Sequence, residues 1–123
     1  MEERVLIFVY GTLMRGQSRA AALADQRFVS EVQTQPEYRL YVCGNYPGLV
    51  EHENGRSIHG ELWSVNEECV ERLDRIEAVD EGLYVRRSVR LMSPHDQSSV
   101  QTYLYAQPTN GLRDCGDRWI TSV

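Results

Sequence analysis

The stretch Val5-Leu6-Ile7-Phe8-Val9-Tyr10-Gly11-Thr12-Leu13-Met14-Arg15-Gly16 decides how the chain is read. Its first six residues are continuously apolar, β-branched or aromatic, and Gly11 stops them. A run of this kind has no polar face to give to water, so it predicts a strand buried on both sides. The segment from Gly11 to Gly16 then turns the chain. Glycine lets backbone come close and turn sharply, and successive amide groups in such a turn can converge on an anion or a polarised carbonyl. On spacing alone, a plain strand-to-helix turn explains the same residues equally well. The Gly-x4-Gly-Lys-Ser/Thr pattern of a nucleotide phosphate loop is absent.

Downstream, Ser18 is placed to cap a short helix through Arg19-Ala20-Ala21-Ala22-Leu23-Ala24. Residues 27–33 alternate weakly around Phe28 and Val32, and residues 38–42 are rich in sheet formers. Gly44-Asn45-Tyr46-Pro47-Gly48 is a turn cluster. Residues 49–52 and 57–65, joined through Asn54-Gly55, predict a β-hairpin, because Asn-Gly suits the positive φ angles of a tight primed turn. Asn66 is a good N-cap, with Glu67 and Glu68 in the first turn where the helix dipole favours acid. Cys69, Val70, Leu73 and Ile76 recur at helical spacing, so an amphipathic helix is expected from Glu67 to Glu77. Two more strands follow, residues 83–91 and 100–106, with Pro94-His95-Asp96 between them, and then an irregular tail over residues 107–123. Strands dominate and short turns join most of them. The expected fold is α+β, a small mixed-strand β-barrel flanked by two or more helices, in a single domain over residues 1–123.

The totals agree with one globular domain. At 123 residues, 41% hydrophobic and 25% charged, the chain can bury about two thirds of its unfolded surface without a metal or disulfide staple. A net charge of -5 argues against a general nucleic-acid binder, since phosphate affinity is mostly the work of basic residues. Cys43, Cys69 and Cys115 are odd in number and lack metal-ligand spacing, so free, buried thiols in a reducing compartment are expected. The acidic start Met1-Glu2-Glu3-Arg4 runs into too short an apolar stretch for a signal segment or a membrane span. A cytoplasmic protein with no membrane partner is the expectation, and its oligomeric state is open.

Few residues carry chemistry. In Leu73-Asp74-Arg75-Ile76-Glu77, Glu77 falls at the edge of the buried helix face, near the negative end of the helix dipole. Partial burial there raises a carboxyl pKa towards the range of a general acid/base, while full exposure leaves an ordinary surface glutamate. Tyr84, Tyr103 and Tyr105 lie on the last two strands, the latter two on one face, as pocket wall or as core. Glu61 reads as an outward strand residue, with a second acid as the weaker reading. His52, His59 and His95 lack zinc spacing, so no metal is expected. There is no Gly-x-Ser-x-Gly elbow and no cysteine in a nucleophile setting.

Taken in order, residues 8–17, Gly44-Asn45-Tyr46-Pro47-Gly48, Gly60-Glu61-Leu62-Trp63, Leu73-Asp74-Arg75-Ile76-Glu77, Tyr84-Val85-Arg86-Arg87 and Tyr103-Leu104-Tyr105 resemble the gamma-glutamylcyclotransferase-like superfamily. Within it they are most similar to the gamma-glutamylamine cyclotransferases and small bacterial relatives. The resemblance spans nearly the whole chain. It implies a compact mixed barrel and a cofactor-free reaction that converts a gamma-glutamyl amine or amide to 5-oxoproline and a free amine. It also implies Glu77 as the acid/base and a substrate site made by Tyr10, Gly11, Thr12 and Leu13, bordered by Tyr84 and Tyr105. The chain departs from the family twice. Ala78 stands where many members have glycine after the acid. Thr12-Leu13 stands where the glutathione-pathway type has Ser-Asn, which points to gamma-glutamylamines over gamma-glutamyl amino acids. The alternative function is a non-catalytic binding protein using the same pocket for a small glutamyl-like molecule. A third reading has the tail from Pro108 onward docking a partner.

Overall fold

A computed structural model of the chain describes residues 3–120. The acidic start at Met1 and Glu2 and the last tail residues, 121–123, lie outside the described residues. Eight strands form one curled, mixed sheet: β1 (Arg4–Val9), β2 (Arg27–Gln33), β3 (Tyr38–Val42), β4 (Pro47–Glu51), β5 (His59–Asn66), β6 (Tyr84–Val89), β7 (Val100–Tyr105) and β8 (Arg113–Asp114). One α-helix, α1 (Glu67–Ile76), packs on its convex face, and no described helix is long and apolar enough to cross a membrane.

β1 is central, as its apolar run predicts. It pairs antiparallel with β5 along its length, from Arg4 opposite Asn66 to Val9 opposite Glu61. On its other side it runs parallel to β7, with Leu6 opposite Val100 and Ile7 opposite Gln101. Ile7 and Val9 pack under α1 with Trp63, Val65, Cys69, Val70 and Leu73. Phe8 and Tyr10 point into the curl with Leu40, Leu49, Ile58 and Leu62. The two-sided burial follows from this alternation. The sheet curls into a half-barrel whose far ends touch just beyond β2 and β6. There Thr34 bridges Leu91, and the Gln35 and Met92 amides donate to the carbonyls of Arg90 and Gln33, both at 2.9 Å.

One edge of β7 is shared. β6 lies antiparallel along the whole of the other edge. On the shared edge β1 occupies the first half, and β4 takes over with Leu49 opposite Leu104. Two strands parallel to β7 therefore part from one another beside it. The Tyr10 side chain fills the fork. Its hydroxyl donates to the Tyr103 carbonyl at 2.5 Å and accepts from the Leu49 amide at 3.2 Å. The Thr102 hydroxyl donates to the Phe8 carbonyl at 2.8 Å, holding β1 against β7.

The predicted helix begins as expected: the Cys69 amide donates to the Asn66 side-chain oxygen at 2.8 Å. It ends at Ile76, with Glu77 as the C-terminal cap residue. Several expectations are corrected. The helix expected over residues 19–24 is a 3-10 turn, Ala20–Leu23, and Ser18 does not cap it. Four residues cannot recover the cost of nucleating an α-helix, so the segment closes with shorter-range bonds such as Ala24 to Ala21. The hairpin through Asn54-Gly55 does not form: β4 pairs with β3 and β7, and β5 with β1 and β2. Gly55 instead lies against the chain at Glu37 and Tyr38, where an added Cβ would stand 2.3 Å from the Tyr38 amide nitrogen. The real hairpin joins β3 to β4 through Gly44-Asn45-Tyr46. Glu61, read as outward, is buried, with 6% of its surface exposed. The thiols are free, and of the three only Cys69 is fully buried. The tail is irregular over most of its described length but adds the two-residue strand β8 to β3.

Candidate active site

Where β1 and β4 part, the turn after β1 meets the end of α1 and leaves a cavity of about 50 Å3. Ligand crevices favour places where neighbouring strands diverge, because backbone ends and side chains converge there without filling the gap. The cavity is lined by the first turn (Tyr10, Gly11, Thr12, Leu13), by Tyr46 and Pro47 before and at the start of β4, and by Ile76 and Glu77 at the end of α1. Tyr84, Tyr103, Leu83 and Arg19 complete most of the wall.

The turn is fixed from both sides. The Met14 amide donates to the Gly11 carbonyl at 3.1 Å and the Arg19 amide to the Thr12 carbonyl at 2.8 Å. Both bonds consume carbonyls of the turn, not its amides. Gly11 is required by packing, since a Cβ there would lie 2.5 Å from the Pro47 ring. Glu61 anchors the turn's far end. It accepts from the Arg15 amide at 3.1 Å, the Arg15 Nε at 3.0 Å and the Trp63 indole at 3.1 Å. The Arg15 guanidinium also sits over the Phe28 ring, 3.7 Å from its centre. Glu61 thus holds the loop rather than offering a second acid.

Among the described residues, Glu77 is the one carboxyl group lining the cavity. Burial pushes its pKa up to about 7, against a smaller opposing pull from Arg19. A carboxyl poised there exchanges a proton readily near neutrality. The tyrosines around it are pushed the other way from reactivity. Burial raises Tyr10, Tyr84 and Tyr103 above the ordinary phenol value, with the Glu77 charge adding to the shift in each. Their hydroxyls stay protonated and are already committed. Tyr84 donates to the Pro47 carbonyl at 2.6 Å, and Tyr103 donates to Asp74 at 2.6 Å. They shape the wall and hold it still. Tyr105 stands outside the lining, its ring edge-on to Tyr84 at 5.5 Å. Thus Glu77, Tyr10, Gly11, Thr12, Leu13 and Tyr84 come together on one cavity, and Tyr105 supports it from behind.

Sequence reading missed several neighbours. Tyr46 and Pro47 read as turn residues yet form the wall facing Gly11. Asp74, one helical turn before Glu77, accepts from Tyr103 and from Arg86 through two bonds of 3.0 and 3.3 Å. Arg86 also reaches Gln101 at 2.7 Å, so α1 is tied to both β6 and β7. Arg19 gave no signal, because its place depends on the fold of the 3-10 turn. Among the described residues the lining contains no Ser, Cys, His or Lys, and Thr12 brings its one aliphatic hydroxyl.

The gamma-glutamyl cyclotransferase, AIG2-like family model matches residues 7–121. The chain belongs to this family. It is 37% identical over 118 residues to a Vibrio cholerae protein provisionally named a gamma-glutamylcyclotransferase, covering 96% of this chain and 97% of that one. It is 31% identical over 122 residues to the human gamma-glutamylaminecyclotransferase, covering 85% and 79% of the two chains. Among solved structures, a mouse AIG2-like protein superposes with a TM-score of 0.76 at 26% identity, covering 96% of this chain and 89% of that one. A uropathogenic E. coli-specific protein matches with the same TM-score at 28% identity, over 92% and 88% of the two chains. The half-barrel is therefore the family's fold, and the cavity described above lies on a family scaffold.

Proposed function

We propose that this protein is a gamma-glutamyl cyclotransferase that converts a gamma-glutamyl amine or amide to 5-oxoproline and a free amine. The observation that carries the reading is that Glu77, with a pKa near neutrality, lines the same cavity as the Gly11 turn. Relatives named for this activity support it.

The substrate brings its own nucleophile. Its α-amine attacks the γ-carbonyl carbon, a C–N bond forms, and the carbonyl oxygen takes up negative charge. Glu77 accepts the proton that the attacking nitrogen must lose. Amide groups of Gly11, Thr12 and Leu13 are suited to stabilise the oxyanion, at about 3 kcal/mol for a well-aimed donor. The intermediate collapses as Glu77 returns the proton to the departing nitrogen and the old C–N bond breaks. Atoms and charge balance with no cofactor. The walls of Tyr10, Tyr84 and Tyr103 favour a folded glutamyl chain, which gains from proximity. Thr12-Leu13 favours gamma-glutamylamines as the substrate class.

The test is turnover by Glu77→Gln. The variant is expected to fold and to lose roughly 10²–10⁴-fold in kcat/KM, the usual worth of a positioned acid/base. Unchanged turnover would end the role assigned to Glu77. Binding of gamma-glutamyl compounds without any 5-oxoproline from the parent protein would instead favour a binding protein.

A further inference from the structure

A second, larger cavity of about 590 Å3 adjoins the far end of the Gly11 turn. That size falls within the roughly 300–1,000 Å3 usual for small-molecule pockets. Its walls come from Met14 and Arg15 of the turn, from β2, from the start of β5, from the loop after β6 and from Trp119 of the tail. The tail is held there by β5, whose His59 amide donates to the Asp117 carbonyl at 2.8 Å. Most charges in this region are already matched. Glu61 accepts three N–H groups, and the Asp117 carboxylate faces His59 at 3.5 Å and Arg118 at 3.4 Å. Three polar groups of the lining are left over. The exposed Glu31 carboxylate makes no ion pair or hydrogen bond among the described residues. Arg15 gives its Nε to Glu61 and its flat face to Phe28, so its two terminal nitrogens have no acceptor among the described residues. The Trp119 indole N–H is buried and also unpaired among them. Met14, Val32 and Met92 add apolar surface beside these groups.

We infer that this second cavity binds a free, zwitterionic α-amino acid with a large apolar side chain. The leftover groups are of opposite sign, so one ligand must bring an ammonium for Glu31 and a carboxylate for Arg15. A ligand with a single charge leaves the other protein group facing it unmatched. The Arg15 guanidinium is prepared for a carboxylate, because its bond to Glu61 and its place over Phe28 already fix its plane. The ligand's apolar body packs against Trp119 and the two methionines, which adapt to its shape. Neither Gly11 nor Glu77 lines this cavity, so the site stands whether or not the first cavity is a cyclotransferase centre. The two cavities meet through the turn. Arg15 is joined to Glu61 by both its amide and its side chain, so a ligand held by Arg15 steadies the segment that begins at Gly11.

The experiment titrates the isotope-labelled full chain with L-phenylalanine, 3-phenylpropanoate and 2-phenylethylamine, and follows backbone and indole N–H signals by NMR. The three probes share one skeleton, and each of the last two lacks one charged group of the first. The chain has two tryptophans, so Trp119→Phe assigns the Trp119 indole signal against that of Trp63. L-phenylalanine is expected to move the Trp119 signal saturably and to bind roughly five- to tenfold tighter than either single-charge probe. Added salt should narrow that gap, since Glu31 and Arg15 are exposed. Glu31→Gln should remove the advantage over 3-phenylpropanoate and keep the advantage over 2-phenylethylamine. Arg15→Gln should do the reverse. The Glu31 carboxylate makes no bond within the described fold, so Glu31→Gln is expected to keep the parent's melting temperature and to change binding alone. Equal affinities for the three probes, or ratios untouched in Glu31→Gln, would overturn the inference. Shifts centred on Gly11, Thr12 and Leu83 would do the same by placing the ligand in the first cavity, as would the absence of any saturable shift.

Discussion

Glu77 is costly to the fold and useful to the chemistry, and both follow from its burial. Its pKa rises from the ordinary 4.5 to about 7. The folded protein therefore holds the proton more tightly than the unfolded chain. Its contribution to stability is full below about pH 4.5 and is lost as pH rises through 7. Above that range the buried charge costs roughly 2 kcal/mol, allowing for partial contact with solvent. Glu77→Gln is therefore predicted to be more stable than the parent by about that amount at pH 8, and by much less at pH 5, in urea unfolding. For the same reason kcat/KM of the parent should rise with pH through an apparent pKa near 7, and this step should be missing from any residual activity of the variant. The neighbouring Ala78 adds a second strain. It closes the helix in the left-handed region at φ 52, which costs an L-residue with a Cβ about 1 kcal/mol. Ala78→Gly should raise stability by no more than about 0.5 kcal/mol in the same assay, since the glycine's extra unfolded entropy offsets most of the relief. The sequence exposed both features only in part. Glu77 could be placed at the edge of an amphipathic face, but the depth of its burial depends on Tyr10, Tyr84 and Tyr103, which arrive from distant strands.

At the scale of elements, the end of α1 is positioned by polar bonds as well as by its apolar stripe. Asp74 gathers Tyr103 of β7 and Arg86 of β6, and Arg86 extends to Gln101. Removing the carboxylate takes an acceptor from the buried Tyr103 hydroxyl and from the half-buried Arg86 guanidinium. Asp74→Ala is predicted to cost about 1–3 kcal/mol, and a double-mutant cycle with Tyr103→Phe should show coupling between the two sites in denaturant unfolding. The elements themselves were mostly legible. β1, β2, β3, β6, β7 and α1 follow patterns of period two or 3.6 that local sequence carries. The 3-10 turn and the Asn54-Gly55 segment were not. Alanine content favours helix but does not report that the segment is too short. An Asn-Gly pair signals a tight turn equally well whether the flanking strands pair with each other or with others.

Across the whole molecule, the site exists because two strands share one edge of β7. Tyr10 closes the fork with a donated and an accepted hydrogen bond, to Tyr103 and Leu49. Tyr10→Phe leaves a buried amide and a buried carbonyl short of a partner. It is predicted to cost roughly 1–3 kcal/mol and to raise hydrogen exchange at Leu49 more than at the β1–β5 ladder. By itself the sequence determined most of the strands and the α-helix, the buried faces of β1 and α1, and the ordered motifs that match the family. Those properties are local, set by side-chain period, capping and turn chemistry. Tertiary structure decided which strands pair, where β1 and β4 separate, that Glu61 anchors a loop, that Gly55 serves a close approach, and that Arg19 reaches the mouth of the cavity. Each of these depends on contacts between residues far apart in the chain, where the energy lies in packing and pairing that no short window of sequence contains.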